Sequence, residues 1–259
     1  MIKMLSEIVT GFSLIFFLAF TIQVSDANAT EGKAVTGEKM TFEVRWSFVV
    51  AGEATIRFIP GEKLNDMDVN HYLFTARTSK YVDLLYKVRD RIDSYTDTEL
   101  TRSIYYKQSH RAGSRKEVIV KFDWEKNTAQ YSKNGKKKDP ISISPDTYDP
   151  LSVFFAFRAR FSDNPNEIRV NVTDGKRSIN GVTKIIKKEK IKVAGKSYNT
   201  VLVEPEMNGV GGIFNKAEGS SIKIWITDDG LRIPVRFKSE VTVGSFVADL
   251  ISYERNIPE

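Results

Sequence analysis

The sequence predicts a mainly β protein, a single curved antiparallel sheet or barrel of about eleven or twelve strands with one buried helix and one short helix. Three observations carry that expectation. Apolar and polar residues alternate with period two along most of the chain, helical spacing of apolar residues occurs in only two short segments, and no cysteine is present to staple a smaller core.

Residues 1–29 read as a secretory signal peptide: Lys3, an apolar run from Ile8 to Val24, and the small-x-small sequence Ala27-Asn28-Ala29. Cleavage after Ala29 exports a chain starting at Thr30. The alternative is a retained membrane anchor, since about seventeen residues is the lower edge of a span. Gly11, Ser13, Thr21 and Gln23 dilute the run and a cleavage site follows it, so the mature chain is not expected to be an integral membrane protein. Without cysteine it cannot be an acylated lipoprotein. The leader carries one lysine and two acids, so the mature chain is one unit more positive than the full chain's +6. That excess suits either a lysine-rich solvated surface or an anionic envelope partner. A nucleic-acid partner is excluded by the destination.

Residues 30–38 are polar and read as a flexible mature N-terminus, and residues 39–259 as a single antiparallel β domain. Phe42, Val44, Trp46, Phe48 and Val50 fall on one face of the first strand, with Thr41, Glu43, Arg45 and Ser47 on the other. Ala51-Gly52-Glu53 reads as its turn, Ala54, Ile56 and Phe58 as the returning strand, and residues 63–70 as a polar loop. After a third strand, Ser79 offers an N-cap to a short helix whose apolar face is Tyr81, Leu84, Leu85 and Val88. Strands resume at residues 90–95, 103–110 and 117–124, the last placing Val118, Val120, Phe122 and Trp124 on one face. Another covers residues 127–133 before the hairpin pair Asn134-Gly135.

Asp149-Pro150 is a helix start, Asp as N-cap and Pro at the first position. The following LSVFFAF is apolar on nearly every side, so a helix over residues 151–161 must be buried, filling the concave side of the sheet or plugging a barrel. Arg158 sits among the phenylalanines, either as an anchor for a ligand's carboxylate or phosphate or as half of an internal ion pair. The β pattern then continues to the end, with a basic strand over residues 182–193 and a glycine-containing loop at residues 207–216. Asp228-Asp229-Gly230 reads as a turn, Pro234 as an edge or bulge position, and Gly244 as a bend or close backbone approach.

Three blocks, LLYKVRDRIDSYTD at residues 84–97, DPLSVFFAFR at 149–158 and IWITDDGLRIPVRF with the later VTVGSFVADL across 224–250, resemble the exported bacterial proteins of the domain-of-unknown-function 3108 family. The resemblance implies a secreted, mostly antiparallel β domain in the Gram-negative envelope, hence the periplasm. It brings no catalytic residues.

The chain has little material for enzymatic chemistry. Two histidines, His71 and His110, on separate strands and no cysteine leave no metal-ligand or Cys-nucleophile pattern, and no G-x-S-x-G elbow is present. Lys and Arg on the second face of most strands also disfavour a lipid-facing barrel. The expectation is therefore a non-enzymatic periplasmic binding module without cofactor or metal, taking a lipid or other hydrophobic envelope ligand into an apolar cavity. Its pocket candidates are Trp46, Phe48, Phe122, Trp124, Phe154, Phe155 and Arg158. The alternative is a structural or assembly factor touching anionic envelope polymers through the basic residues 184–192.

Overall fold

A computed structural model describes residues 37–161, 167–206, 222–240 and 244–255. The expected signal peptide and the glycine-containing loop at residues 207–216 lie outside the described residues. The strands are β1 (Glu38–Trp46), β2 (Val49–Leu64), β3 (Met67–Thr78), β4 (Arg89–Thr96), β5 (Ser103–Ala112), β6 (Ser114–Asp123), β7 (Thr128–Lys133), β8 (Lys136–Lys137), β9 (Ile141–Ser142), β10 (Glu167–Thr173), β11 (Ser178–Val193), β12 (Lys196–Glu206), β13 (Ile222–Thr227), β14 (Pro234–Glu240) and β15 (Ser245–Arg255). The helices are α1 (Lys80–Asp83) and α2 (Ser152–Ala159). The expected fold class holds, with fifteen strands among the described residues, more than anticipated; two of the additional ones are the two-residue β8 and β9.

The strands form one antiparallel sheet in the order β10-β11-β12-β13-β14-β15-β1-β2-β3-β4-β5-β6-β7-β8, with β9 beside β7. Among the described residues strand pairing does not close it. The chain between β7 and α2 spans the gap instead: β9 pairs with β7, and Tyr148 exchanges backbone hydrogen bonds of 2.9 Å with Asn171 and Thr173 of β10. Inward residues alternate with outward ones as the pattern requires. In β1, Met40, Phe42 and Val44 are buried while Thr41, Glu43 and Arg45 are half-buried outside.

The inner helix is shorter than the expected 151–161, and three strand boundaries differ from expectation, each for a backbone reason. The first turn is Ser47-Phe48, with Ser47 at φ +52°, and Ala51 and Gly52 belong to β2. Residues 63–70 are the tip of a long hairpin that turns on Asn65-Asp66, two residue types that tolerate the left-handed region they occupy. Folded structure also starts one residue early, because Glu38 is already paired in β1. The expected turn at Asn134-Gly135 forms, and Pro234 sits at a register shift between β13 and β14.

Because successive turns of an antiparallel sheet alternate between its ends, the molecule has two distinct ends. One carries the start of β1, the β4–β5 and β13–β14 turns, and α2. The other carries the β1–β2 turn, the link from β3 to β4 containing α1, and the β5–β6 turn.

The inner helix depends on Asp149. Its Oδ1 accepts the backbone N–H groups of Leu151 (2.8 Å) and Ser152 (3.0 Å), and its carbonyl accepts that of Val153 (3.1 Å), so it caps the turn leading into α2. Its Oδ2 accepts the hydroxyls of Ser94, Ser103 and Ser152, each at 2.7 Å. Ser94 and Ser103 belong to β4 and β5, so one carboxylate both starts the helix and fixes it to the wall. All four residues are fully buried. The carboxyl group is tolerable there because five donors replace its hydration.

Asp149→Ala is expected to lower stability by about 3 kcal/mol or more, since the orphaned hydroxyls and amides cost about 1–3 kcal/mol for each buried unsatisfied group. Urea unfolding measures this: the midpoint falls while the slope is unchanged. A loss below about 1 kcal/mol would mean the cluster does not anchor the helix.

Candidate ligand-binding rim

The seven residues singled out by sequence do not converge on one pocket. Phe154 and Phe155 of α2 are core residues: Phe155 lies 4.1 Å from Tyr72 and 6.1 Å from Phe58 between ring centroids, and Phe154 lies 6.2 Å from Phe237. Burial pushes the Tyr72 phenol far above its ordinary value, which keeps it neutral in this core. Phe122 and Trp124 stack on each other at 5.6 Å, half-buried, and the Trp124 indole donates to the Ser103 carbonyl at 2.9 Å. Trp46 is half-buried against Phe246.

Phe48 corrects the reading that placed it inward. It is 93 % exposed, because the chain turns at Ser47-Phe48 and the alternation ends there. The turn is held from the other side by the approach to β15. Ser47 N–H donates to the Ser245 carbonyl at 2.7 Å, and Gly244, at φ +84°, comes so close that a Cβ would lie 2.4 Å from Ser47 Oγ.

Arg158 is the internal ion pair rather than a free anchor. Its guanidinium grips the Glu38 carboxylate with both terminal nitrogens, one at 3.0 Å, and donates to the Leu231 carbonyl at 3.0 Å. Tyr253 donates to the same carboxylate at 3.2 Å. The far end of α2 is thus tied to β1, β15 and the β13–β14 turn, as its near end is tied to β4 and β5. With Asp149 at one side and Arg158 at the other, the helix lies across one end of the sheet and seals it.

The opposite end is built differently. Ser79 caps α1 as expected, its hydroxyl accepting Val82 N–H at 3.4 Å, but the helix runs a single turn. Val88 is fully buried, whereas Tyr81, Leu84 and Leu85 are 86 %, 85 % and 75 % exposed. Ser79 stitches this link to β2, its N–H donating to the Ala51 carbonyl at 2.8 Å and its hydroxyl to Val50 at 3.3 Å. The link therefore sits beside exposed Val49 and Val50 and the Phe48 turn. Six apolar residues at this rim face solvent, a concentration that marks interaction surfaces. Helical spacing revealed Tyr81, Leu84 and Leu85 in the sequence, but as a face meant for the core. Val50, read with Phe48 as part of the inward face of the first strand, instead lies exposed in β2 past the turn, and Val49 carried no signal.

Other polar features serve the wall. Asp229 Oδ1 accepts the amides of Leu231 (2.9 Å) and Arg232 (3.1 Å), the local bonds expected of the Asp228-Asp229-Gly230 turn. Along β11, Lys184, Lys187 and Lys188 pair with Glu206, Glu189 and Asp228. An outer groove of about 880 Å³ runs over β4, β5 and β6, and Phe122, Tyr95, Tyr105 and Asp93 help line it. Burial raises the Asp93 carboxyl, but hydrogen bonds from His71 (3.1 Å) and Arg91 (2.6 and 2.8 Å) outweigh it and hold the group at about 2. Among the described residues no cluster of three His, Cys, Asp or Glu is placed to hold a metal, and no helix is long and apolar enough to cross a membrane.

Comparison with known proteins places the chain. The family model described as "Protein of unknown function (DUF3108)" matches residues 41–251. A search of curated proteins finds no match. Among solved structures, the chain is similar to a β-barrel-like protein of the domain of unknown function DUF1849 from Brucella abortus. The TM-score is 0.53 at 9 % identity, over 85 % of this chain and 98 % of that one, a likeness of fold.

Two outcomes follow from these contacts. Arg158→Leu leaves Glu38 buried without its cation and is expected to cost about 3 kcal/mol, with much of that loss recovered in Arg158→Leu/Glu38→Leu; a stability-neutral single variant in thermal unfolding would contradict the pairing. Asp93 has a folded value below its ordinary 3.8, so its contribution is complete above that pH and disappears as pH falls through about 2. Asp93→Asn is thus expected to be less stable at neutral pH and to show a flatter stability curve below pH ~4, measured by urea titration at each pH.

Proposed function

This chain belongs to the DUF3108 family, whose match spans nearly all of its folded residues, and from that premise we propose that it is an exported, non-enzymatic periplasmic binding module for a lipid or other hydrophobic envelope ligand, taken at the apolar rim. The observation that carries the reading is the exposure of Phe48, Tyr81, Leu84 and Leu85 together at the end opposite the sealed one. Burying a leucine or phenylalanine side chain is worth about 1.5–3 kcal/mol. Leaving four large ones in water forgoes a gain that a ligand can recover. The apolar leader with its small-x-small site supports export. The densest group of hydroxyls and carboxylate, at Asp149, is sealed inside and engaged in holding α2, which supports a non-catalytic role. The alternative, an assembly factor reaching anionic polymers through β11, has less support because its lysines are largely answered by neighbouring carboxylates.

Periplasmic fractionation with intact-mass measurement is expected to find a chain starting at Thr30. That material is expected to enhance the fluorescence of a dansylated fatty acid, and Leu84→Ser/Leu85→Ser to weaken its binding about tenfold or more with unchanged melting temperature. Equal affinity in the variant would overturn the rim as the site.

A further inference from the structure

The rim stands on a row of arginines that only strand register reveals. On adjacent strands, Arg77 of β3 lies opposite Arg89 of β4, Arg89 opposite Arg111 of β5, and Arg111 opposite Arg115 of β6. Like charges directly opposite one another destabilise a sheet. Two of the four are answered: Arg77 by Glu53 at 3.1 Å, and Arg89 by Asp83 at 2.5 and 3.0 Å. The Arg89 guanidinium and the Thr78 hydroxyl hold the Asp83 carboxyl down at about 2, so this pair persists at any physiological pH. Arg115 reaches only Glu117, at 3.9 Å, and both Arg111 and Arg115 are exposed. A groove of about 520 Å³ is lined by Lys87, Arg89, Arg111 and Arg115 with no carboxylate among its lining residues. It opens beside the link that bears Tyr81, Leu84 and Leu85, to which Tyr86 joins it by donating to the Ala112 carbonyl at 3.4 Å.

We propose that this end docks on an anionic lipid surface, with Phe48, Tyr81, Leu84 and Leu85 entering the acyl boundary and Lys87, Arg111 and Arg115 meeting headgroup phosphates. The inference rests on the rim reading above and names the partner of that site. The pairing matches what an interface binds: exposed apolar side chains for the acyl boundary, and beside them cations for the headgroups. Arginine suits phosphate because its planar fork offers two parallel donors. A soluble anion would satisfy the arginines but leave the apolar tips in water. A neutral lipid would satisfy the tips but leave the repulsion along the row.

Vesicle co-sedimentation of the purified mature protein tests this. Binding is expected to vesicles of phosphatidylglycerol in phosphatidylcholine, to weaken steeply with added salt, and to be poor for phosphatidylcholine alone. Arg111→Ala/Arg115→Ala is expected to reduce it about 25-fold, at about fivefold per cation near an anionic surface, with a melting temperature that is not lowered, since the substitutions also relieve the repulsion along the row. Equal binding to both vesicles, undiminished binding by that variant, or complete displacement by soluble glycerol phosphate would overturn the proposal, the last by assigning the arginines to a free anion. The dansylated fatty acid measured on the same samples separates the two readings: if it binds while vesicles do not, the docking inference fails and the rim reading stands; if neither binds, both fail.

Discussion

A helix apolar on almost every side can exist only inside something, and the polar groups at its ends then have to be satisfied without water. Asp149 solves this at the start of α2, where one carboxylate accepts two backbone amides and three serine hydroxyls from three elements. At the other side the Arg160 N–H returns to the Phe157 carbonyl at 3.3 Å, and Arg158 ties that end to the wall by clasping Glu38 and the Leu231 carbonyl. Both ties are to the same end of the sheet, so the constraint that admits the helix also closes that end. The segment leading into α2 then bridges the two edge regions through β9 and Tyr148, completing a barrel-like body that strand pairing leaves open.

With one end sealed, exposed apolar side chains gather at the other: Phe48, Val49, Val50, Tyr81, Leu84 and Leu85. Its apolar residues are held out by specific backbone ties: Gly244 and Ser245 against the Ser47-Phe48 turn, and Ser79 against Val50 and Ala51. These contacts explain why the rim side chains stand in solvent instead of folding back over the core. The link that bears Tyr81, Leu84 and Leu85 also meets the strand that carries Arg111, through the Tyr86 hydroxyl and the Ala112 carbonyl.

Much of the wall was legible because inward alternation is a direct consequence of pleating, and Asp149-Pro150 announced the inner helix through capping chemistry alone. Arg158 resolved into one of the two meanings its neighbours allowed, and the Asp228-Asp229-Gly230 segment into the turn its local hydrogen bonding required. Phe48 was misplaced because a turn can interrupt period two without any glycine or proline to mark it. Tyr81, Leu84 and Leu85 had a true helical spacing, but spacing cannot say whether an apolar face meets a core or is left for a partner. The arginine row was invisible for a deeper reason. Arg77, Arg89, Arg111 and Arg115 are unremarkable along the chain, and become neighbours only once the register of four strands is fixed.

The proposed division into a sealed end and a docking end can be measured directly, because the chain has no cysteine to interfere with single-site labelling. A nitroxide is placed at Phe48→Cys, on the rim, or at Leu231→Cys, in the β13–β14 turn at the sealed end. Its accessibility to oxygen and to a water-soluble nickel chelate is then read with anionic vesicles present. The account predicts that the label at position 48 becomes oxygen-rich and shielded from nickel while the label at position 231 stays in water. A label at position 48 that remains fully accessible to nickel on vesicle-bound protein, or burial of position 231 instead, would contradict it.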